Sequence, residues 1–332
     1  MKRFRLSIIC AAATALILCA FTSCASVPGP FDDAFYGPSS TEAAVFGSIV
    51  NSVQSIEKAA EVITPEEEYY IGRSVAATIA ATYPVDNGSY KMTSYLNKIC
   101  ETLVMNSDVP YLYKGYYVVI LDTDEINAMA TPGGHIFVSR GLIDCTESED
   151  ALAAVLAHEI SHIQLGHSVS AIKASRTRAA VSDTAKAGLV TTLAAKNASG
   201  GFYGITLSDK NMEKVFEAVD TISSASDEVV KTLVNTGFSK DQEYDADKNA
   251  LYLMNSAGYD AHAMLDMLAQ IEDSSSNSGW GATHPSPKDR IKKVEKELSK
   301  MEKSKTISTN GKQIRTERFE AEYEDYKIFE IN

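Results

Sequence analysis

The pattern of apolar and polar positions divides the chain into a mainly helical body that contains two short β-rich runs. Apolar residues recur at helical spacing in three segments, 41–63, 65–83 and 93–106. Residues 116–121 and 135–139 are instead rich in β-branched and aromatic residues, and the Pro-Gly-Gly sequence 132–134 between them is typical of a turn. The pattern therefore predicts an α+β fold that is mainly α-helical, with a small β-sheet.

One further predicted helix carries the residues with the clearest chemistry. The apolar run Ala151–Ala157 leads directly into an HEISH sequence, His158–His162. Side chains four residues apart project from one face of an α-helix, so both imidazoles can bind the same metal ion. Glu159 would lie beside that metal, where a carboxylate can take a proton from metal-activated water and pass it to a leaving amine. The pattern indicates a zinc hydrolase that acts on peptide bonds.

The signals that flank this helix help to separate a metal site from an ordinary core helix with two incidental histidines. Thr146 and Glu149 predict a capping box before the apolar run, and Gly166 predicts the end of the helix. The histidines therefore fall inside a well-bounded helix. This favours the metal site, although the five-residue pattern alone also occurs by chance.

A second segment supplies the ligand that a catalytic zinc still needs. Glu243 and Asp247 share one face of a helix predicted from Gln242 onward. A catalytic zinc takes three protein ligands, and a histidine ligand usually donates its second N–H to an outer carboxylate. Glu243 fits the third ligand and Asp247 fits the outer carboxylate. Without the histidine motif, the same segment would be a solvated acidic helix face.

Another zinc arrangement places a third histidine six residues after the second, with a glycine three residues after the second. It fails here because those positions hold Ser168 and Leu165, while Gly166 and His167 are one residue out of step. His167 is interpreted as a helix-end or structural histidine that could still contact substrate.

Five blocks of sequence, taken together and in this order, resemble the HtpX/CAAX-prenyl-endopeptidase family of gluzincin metallopeptidases, and within it the BepA-like periplasmic and lipoprotein members. The blocks lie within about residues 64–298 and are Thr64–Glu68 with Ile71-Gly72, Asn127–Gly134, His158–His162, Gln242–Asp247, and Thr283-His284-Pro285 with Arg290. The resemblance implies a zincin-type metallopeptidase domain with the HExxH motif on its active-site helix.

Position by position, the resemblance assigns the metal and its base. It implies one Zn²⁺ per chain, bound by His158, His162 and Glu243. Glu159 would be the general base and acid, and Asp247 would support a ligand from behind.

The resemblance also implies two further catalytic residues. His284 matches a family histidine held over the metal, which stabilises the oxyanion or caps the zinc in a closed state, and Arg290 matches its partner arginine. Ser286 and Pro287 predict the start of a helix, so His284 lies on the loop just before it. Lys240 stands where many relatives have arginine, which leaves a local ion pair open.

The block from Asn127 to Ser139 is the predicted place for substrate. A strand beside the zinc helix could hold an extended peptide by main-chain hydrogen bonds. The resemblance implies this edge-strand role, which is assigned to Ala130, Gly133, Gly134 and Ile136. A structural hairpin would fit the same residues, and the two roles are compatible.

The N-terminal residues predict export and a lipid anchor. Three basic residues precede an apolar stretch, 6–21, that is too short and wrongly flanked for a dependable transmembrane helix. The following Phe21–Cys24 resembles a relaxed lipobox, in which Cys24 becomes the lipidated first residue of the mature chain. The alternative is an ordinary signal peptide cut near residue 20 or 25.

The chain is thus expected to have four parts. These are a lipoprotein signal peptide at 1–23, a lipid tether with an N-terminal helix at 24–63, the zinc metallopeptidase domain at 64–300 and a C-terminal tail at 301–332. Within the domain, residues 168–236 are interpreted as amphipathic helices that either cover the cleft or only pack. The end of the tail either adds a strand, docks in the groove as a plug, or forms a packed or disordered end.

Charge and cysteine content limit the partners. The formal net charge is −13, and loss of the three basic residues with the signal takes it to −16. Such a surface repels nucleic acid and anionic lipid, so polypeptide partners and no nucleic acid are expected. Cys100 and Cys145 remain in the domain, either as one disulfide in an oxidising compartment or as two buried thiols.

Together these inferences predict a zinc metalloendopeptidase that is lipid-anchored on the periplasmic or surface side of the cell envelope and cleaves unfolded or misassembled envelope proteins. The alternative is a lipid-anchored, chaperone-like assembly factor whose zinc site is structural or latched by His284. The intact Glu159 favours the enzyme, because a purely structural zinc has no use for an adjacent base.

Overall fold

The computed structural model describes residues 62–177, 229–274, 284, 287–304, 307 and 310–331. The predicted signal peptide, the predicted lipidation site Cys24 and the predicted helix before residue 62 lie outside these residues, as does the segment 178–228 of the predicted amphipathic insert. Among the described residues, no helix combines the length and the apolar character needed to cross a lipid bilayer.

Two helices open the described domain, α1 at Pro65–Thr82 and α2 at Tyr90–Met105, and both confirm the sequence prediction. A capping box fixes the start of α1. The Thr64 hydroxyl accepts from the Glu67 N–H at 3.2 Å, and the Glu67 carboxylate accepts from the Thr64 N–H at 2.8 Å. Pro65 takes the first helical position, where its missing N–H costs no hydrogen bond.

A three-stranded sheet follows, with β1 at Tyr117–Leu121, β2 at Ala128–Ala130 and β3 at His135–Ser139. The strand order is β1-β3-β2, and β3 pairs in parallel with β1 and antiparallel with β2. The two predicted runs are confirmed as β1 and β3, but the sequence pattern does not identify β2. All three residues of β2 are buried, so this strand lacks the apolar and polar alternation of a half-exposed strand.

The helix that carries the two histidines of the predicted metal site is α4, at Glu149–Gln164, and it follows the short helix α3 at Arg140–Cys145. Its cap is Ser148, whose hydroxyl accepts from the Ala151 N–H at 3.1 Å. Gly166 adopts a φ of +65° just beyond α4, which confirms the predicted end of this helix.

The predicted capping box of Thr146 and Glu149 is wrong. Thr146 instead ends α3, where its hydroxyl donates to the Ile143 carbonyl at 2.8 Å. Because a separate helix ends there, the cap of α4 moves to Ser148, and the Glu149 side chain is free for a distant partner.

The described C-terminal part contains α5 at Lys240–Ser256, α6 at Ala263–Ser274, α7 at Pro287–Lys303 and α8 at Lys312–Ile331. Nearly every residue of α4 is buried, because α5 packs along it and α2, α6 and the sheet surround it. The start of α7 at Pro287 confirms the helix predicted after His284. Since α7 continues to Lys303, the predicted domain boundary at residue 300 falls inside a helix.

The C-terminal segment packs on the domain as the helix α8, which agrees with the packed end among the alternatives and not with an added strand. This helix lies against α2 and α4 and sends two arginines to the first turn of α4. Arg318 Nε donates to Glu149 Oε2 at 2.6 Å, and Arg315 Nε donates to Asp150 Oδ1 at 2.8 Å. The end of the chain thus contacts α4 at the end remote from the histidines.

The two cysteines of the domain are free thiols, so the disulfide that the sequence left open is not formed. Burial raises the pKa of Cys100 to about 12 and that of Cys145 to about 11. Neither residue belongs to the group of possible metal donors.

Candidate metal centre

Two neighbouring helices bring the three predicted ligands to one point. His158 and His162 lie one turn apart on α4, and Glu243 projects toward them from the first turn of α5. The Nε2 atoms of the two histidines are 3.1 Å apart. His158 Nε2 lies 3.4 Å from Glu243 Oε2, and His162 Nε2 lies 3.4 Å from Glu243 Oε1. All three side chains are at most 1% exposed.

The spacing of these donors fits a zinc ion. Ligand atoms about 2.0–2.1 Å from a tetrahedral zinc lie about 3.3 Å from one another. Glu243 Oε1 is buried and has no hydrogen-bond partner among the described residues. A buried carboxylate that faces a ring nitrogen of His158 with one oxygen and of His162 with the other is costly unless a cation or a proton lies between them, so the donor set suits a metal.

His284 adds a fourth donor to the group. Its Nδ1 lies 2.7 Å from Glu243 Oε2, and its ring centre is 5.3 Å from that of His158 and 5.9 Å from that of His162. One donor atom from each of the four residues lies within 4.8 Å of the others. Because a catalytic zinc keeps one position open, four protein donors correspond to a closed arrangement.

Asp247 lies behind the ligands, in the place predicted for it. Its Oδ1 is 3.0 Å from His158 Nδ1, the ring nitrogen that does not face the other ligands. Arg290 holds the same carboxylate, with Nε donating to Oδ2 at 2.8 Å and Nη2 donating to Oδ1 at 2.6 Å. A carboxylate held in this way fixes the tautomer and ring orientation of a histidine ligand.

Arg290 approaches the centre from behind and not from the substrate side. It is fully buried, with Nη2 3.3 Å from His158 Nδ1 and Nη1 3.6 Å from Glu243 Oε2. The resemblance implies Arg290 as a catalytic partner of His284. The geometry instead favours a positioning role, because Arg290 contacts the ligands and their supporting carboxylate.

Glu159 is a buried carboxyl group next to the ligands on α4. Its Oε1 makes no hydrogen bond to the described residues. Burial raises the pKa of Glu159, while the charges of His158 and His284 oppose this shift. A carboxyl group with a raised pKa and an oxygen that makes no hydrogen bond to the described residues is suited to the role of general base and acid.

Burial and neighbouring charges also shift the pKa values of His158 and Glu243. Burial and Arg290 lower the pKa of His158, but its bonds to Asp247 and Glu243 outweigh them and raise it to about 9. Burial raises the pKa of Glu243, but the charge of His284 and the bond from His158 hold it well below its usual range. A metal ion at His158 Nε2 would take the place of a proton there, because a ligating imidazole is neutral.

Two side chains that the sequence analysis did not assign to the site hold the ring of His162. His167 Nδ1 lies 2.9 Å from His162 Nδ1. Phe238 stacks on the His162 ring with centroids 4.2 Å apart and planes inclined by 22°. Their only sequence signals are their positions next to helix ends, since His167 follows Gly166 and Phe238 precedes the cap of α5.

The residues predicted to bind substrate have different environments. Ala130 lies on β2, which pairs only with β3 among the described residues and is therefore an edge of the sheet. Ile136 lies on the central strand between two paired neighbours, so its backbone cannot accept a further strand. The predicted edge-strand role of Ile136 is therefore wrong.

Gly133 and Gly134 are covered by other parts of the chain. A Cβ at Gly133 would lie 2.5 Å from Tyr69 Cα on α1, and a Cβ at Gly134 would lie 2.1 Å from the Gly115 carbonyl oxygen. Both glycines have positive φ, 74° and 104°. These contacts explain the two glycines by close packing of the turn, and their contact with substrate stays a prediction.

The opposite edge of the sheet is closed by α2. The Asn97 side chain accepts from the Val118 N–H at 2.9 Å and donates to the Val118 carbonyl at 2.8 Å. At the other end of β1, the Asp86 N–H donates to the Ile120 carbonyl at 2.9 Å. Among the described strands, β2 is therefore the edge at which a further strand can pair.

The ladder between β2 and β3 shows which groups of β2 point outward. The Thr131 N–H donates to the His135 carbonyl at 2.8 Å, and the Ser139 N–H donates to the Asn127 carbonyl at 3.0 Å. Hydrogen-bonded residues alternate along an antiparallel strand, so the backbone groups of Ala128 and Ala130 point away from β3. Both residues are buried in the closed arrangement.

Lys240 forms an ion pair, although many relatives have arginine at this position. Its Nζ lies 3.3 Å from Asp289 Oδ2, and both side chains are exposed. The pair joins the start of α5 to the first turn of α7. The metal centre does not depend on it.

Comparison with known proteins agrees with this geometry. The sequence profile of peptidase family M48 matches residues 91–298. A beta-barrel assembly-enhancing protease of Yersinia pestis is 26% identical over 223 residues, which cover 66% of this chain and 41% of the relative. The mitochondrial metalloendopeptidase OMA1 of Schizosaccharomyces pombe is 27% identical over 214 residues, which cover 62% of this chain and 53% of the relative. Metalloprotease YcaL of Escherichia coli is 25% identical over 206 residues, which cover 61% of this chain and 68% of the relative.

The matched region contains the whole metal centre. The aligned part of this chain spans about half or less of the first two relatives, at 53% and 41% of their lengths. The profile extends over more than half of this chain and includes His158, His162, Glu243 and His284. The predicted family is therefore confirmed, and the chain belongs to peptidase family M48.

Proposed function

We propose that this protein is a zinc-dependent metalloendopeptidase. The observation that carries the proposal is the convergence of His158, His162 and Glu243 at distances of 3.1 to 3.4 Å, beside the buried carboxyl group of Glu159. A structural zinc site does not need an adjacent base. Membership of family M48 and the names of the relatives, which are proteases, support the same function.

In this proposal each residue of the centre has one role. His158, His162 and Glu243 hold the zinc, which when bound polarises the scissile carbonyl and makes water more acidic. Glu159 takes a proton from the attacking water and delivers it to the leaving amine. Asp247 keeps His158 in the tautomer that presents Nε2.

We infer that the substrate is an extended segment of unfolded polypeptide that adds to β2 as a further strand. Support comes from Ala128 and Ala130, whose backbone groups point away from β3. Main-chain pairing gives affinity without strict demands on sequence, which suits unfolded or misassembled proteins. Relatives named as beta-barrel assembly-enhancing proteases support cell-envelope proteins as the substrates.

We further propose that the protein is a lipoprotein on the periplasmic or surface side of the cell envelope, anchored through Cys24. The sequence Phe21–Cys24 after a short apolar stretch supports this. Labelled fatty acid should enter the wild-type chain and not the Cys24→Ser chain. Labelling of both chains would contradict the anchor.

Removal and return of the metal test the proposed activity. The full chain in a mild detergent is incubated with a reduced, carboxymethylated protein as an unfolded substrate. We expect cleavage to stop with a zinc chelator and to return when zinc is added. Cleavage that continues in the metal-free chain would exclude a metallopeptidase.

A second candidate function rests on His284. It contacts Glu243 at 2.7 Å, and the three ligands are buried, so the site must open before a peptide can enter. A chain that stays closed would bind envelope proteins as an assembly factor without cutting them. His284→Ala separates the candidates: cleavage faster than in the wild type identifies a latched enzyme, whereas bound zinc without cleavage in the wild type and the variant alike supports the assembly factor. His262→Ala is the matched control, because His262 is partly exposed and lies outside the group of donors.

A further inference from the structure

We infer that His167 is a positioning residue that fixes the tautomer and orientation of the zinc ligand His162. The inference rests on the proposed function, because it requires His162 to bind the metal through Nε2. The sequence alone left His167 as a structural histidine or a substrate contact. In the structure, the His167 side chain is buried and faces His162. This position argues against a contact with substrate.

The two ring nitrogens of His162 face different partners. Nε2 lies 3.1 Å from His158 Nε2 and 3.4 Å from Glu243 Oε1, so it points to the metal position. Nδ1 lies 2.9 Å from His167 Nδ1. A neutral imidazole carries one N–H, so an Nε2 that binds metal requires the hydrogen on Nδ1. His162 then donates to His167, and His167 Nδ1 is the acceptor.

His167 is not itself a fourth or fifth ligand. Its contact is with the nitrogen of His162 that faces away from the metal position. The donors that come within 4.8 Å of one another include His284 and exclude His167. The role that remains is support of His162 from behind, which is what Asp247 provides for His158.

The end of α4 is built so that this contact can form. Residues five apart on a continuous α-helix point about 140° away from each other, so His167 could not reach His162 if α4 continued. Gly166 ends the helix with a φ of +65°, and helical residues 167–177 begin in a new direction. A Cβ at Gly166 would meet only Val169 Cβ at 4.0 Å, so the backbone conformation, and not space, requires glycine.

Phe238 does not determine which nitrogen of His162 faces the metal position, so His167 is needed for that. It stacks on the face of the His162 ring at 4.2 Å and restrains the ring plane. A ring turned over within the same plane would still stack, but it would no longer present Nε2 to the metal. On the side of the ring that faces away from the metal position, a hydrogen-bond partner distinguishes the two orientations, and among the described residues His167 Nδ1 is the partner of His162 Nδ1.

A pair of substitutions of similar size tests the inference. His167→Leu removes the acceptor, and His167→Asn returns an oxygen close to the position of Nδ1. Zinc affinity of the full chain in a mild detergent is measured by competition with a chromophoric chelator. We expect His167→Leu to bind zinc roughly 10- to 100-fold more weakly than wild type, as for other outer partners of zinc ligands, and His167→Asn to recover most of the loss.

The thermal midpoint of the metal-free chain is the second readout. It should be similar for the two variants, because both fill nearly the same space. Wild-type zinc affinity in His167→Leu, or an equal loss in both variants, would overturn the inference and leave the proposed function intact. A wild-type chain that binds no zinc would instead overturn the proposed function, and the inference with it.

Discussion

Arg290 and Asp247 form a fully buried, two-point ion pair directly behind the His158 ring. Arg290 belongs to α7, Asp247 to α5 and His158 to α4, so one arginine joins the three helices that build the metal centre. The same carboxylate contacts His158 Nδ1 at 3.0 Å. Stability and metal binding therefore depend on the same pair.

Arg290→Met should strongly destabilise the fold. The substitution leaves the Asp247 carboxylate buried without its cation, which costs roughly 3–5 kcal/mol in the free energy of unfolding. Urea unfolding of the metal-free full chain measures this cost. The double substitution Arg290→Met with Asp247→Asn should cost less than Arg290→Met alone.

The matched control is Lys240→Met, which breaks the exposed pair with Asp289 between the same two helices. We expect a change of no more than about 1 kcal/mol. Similar losses in the free energy of unfolding for Arg290→Met and Lys240→Met would show that the buried pair stabilises the fold no more than the exposed pair.

Arg318→Ala should loosen the first turn of α4. Glu149 is buried and accepts from both Arg318 and Tyr95, so removal of the arginine leaves a buried charge with one neutral donor. Because half of the Arg318 side chain is exposed, a loss of roughly 1–3 kcal/mol is expected. The thermal midpoint should recover in part when Glu149→Gln is added. Lys91→Ala, which breaks an exposed pair between α2 and α8, is the control and should leave the midpoint unchanged.

Gly72→Ala should disrupt the packing of α1 against the turn at Pro132. A Cβ at this position would lie 1.6 Å from the Pro132 carbonyl oxygen, so backbone has to move. We expect a loss of more than about 3 kcal/mol, at the upper end of overpacking effects. Ala77→Ser, on the exposed face of α1, should change stability by less than about 0.5 kcal/mol. Equal unfolding curves for the two variants would contradict the observed contact.

His262 should make stability depend on pH. Burial lowers the pKa of His262, but its hydrogen bonds to Glu302 and Asp260 outweigh this and raise it. Two further charged groups lie beside this cluster: Lys312, 3.6 Å from Asp260 Oδ2, and Asp150, whose Oδ1 accepts from the Asp260 N–H at 3.0 Å. A raised pKa in the folded state means that the stabilisation is present below about pH 6.5 and is lost as pH rises through the folded-state pKa.

His262→Asn should therefore lower the thermal midpoint more at about pH 6 than at about pH 8.5. Melting curves of wild type and variant at saturating zinc measure the difference and keep the metal centre constant. An effect of equal size at both pH values would show that the protonated histidine contributes nothing.

The local periodicity of the sequence was sufficient for most of the described helices and for the residues that converge at the candidate metal centre. His158 and His162 are one helical turn apart on α4, and Glu243 and Asp247 are one turn apart on α5. The site therefore forms where these two helices pack together. These signals need no knowledge of the fold beyond α4 and α5.

The remaining features depend on contacts between distant residues. Glu149 was interpreted as a cap because its partner, Arg318, is 169 positions away. The strand β2 has three buried residues and no alternation, so only its pairing with β3 identifies it. Ile136 was placed at an edge because the order of strands cannot be read from a single run.

The most direct test of the central claim compares wild type with Glu159→Gln. Zinc content and cleavage of a reduced, carboxymethylated protein are measured for both full chains, with and without His284→Ala to open the site. The account predicts one zinc in every chain and cleavage that is lost whenever Glu159 is replaced. Equal cleavage with glutamine at position 159, or a wild-type chain without zinc, would contradict it.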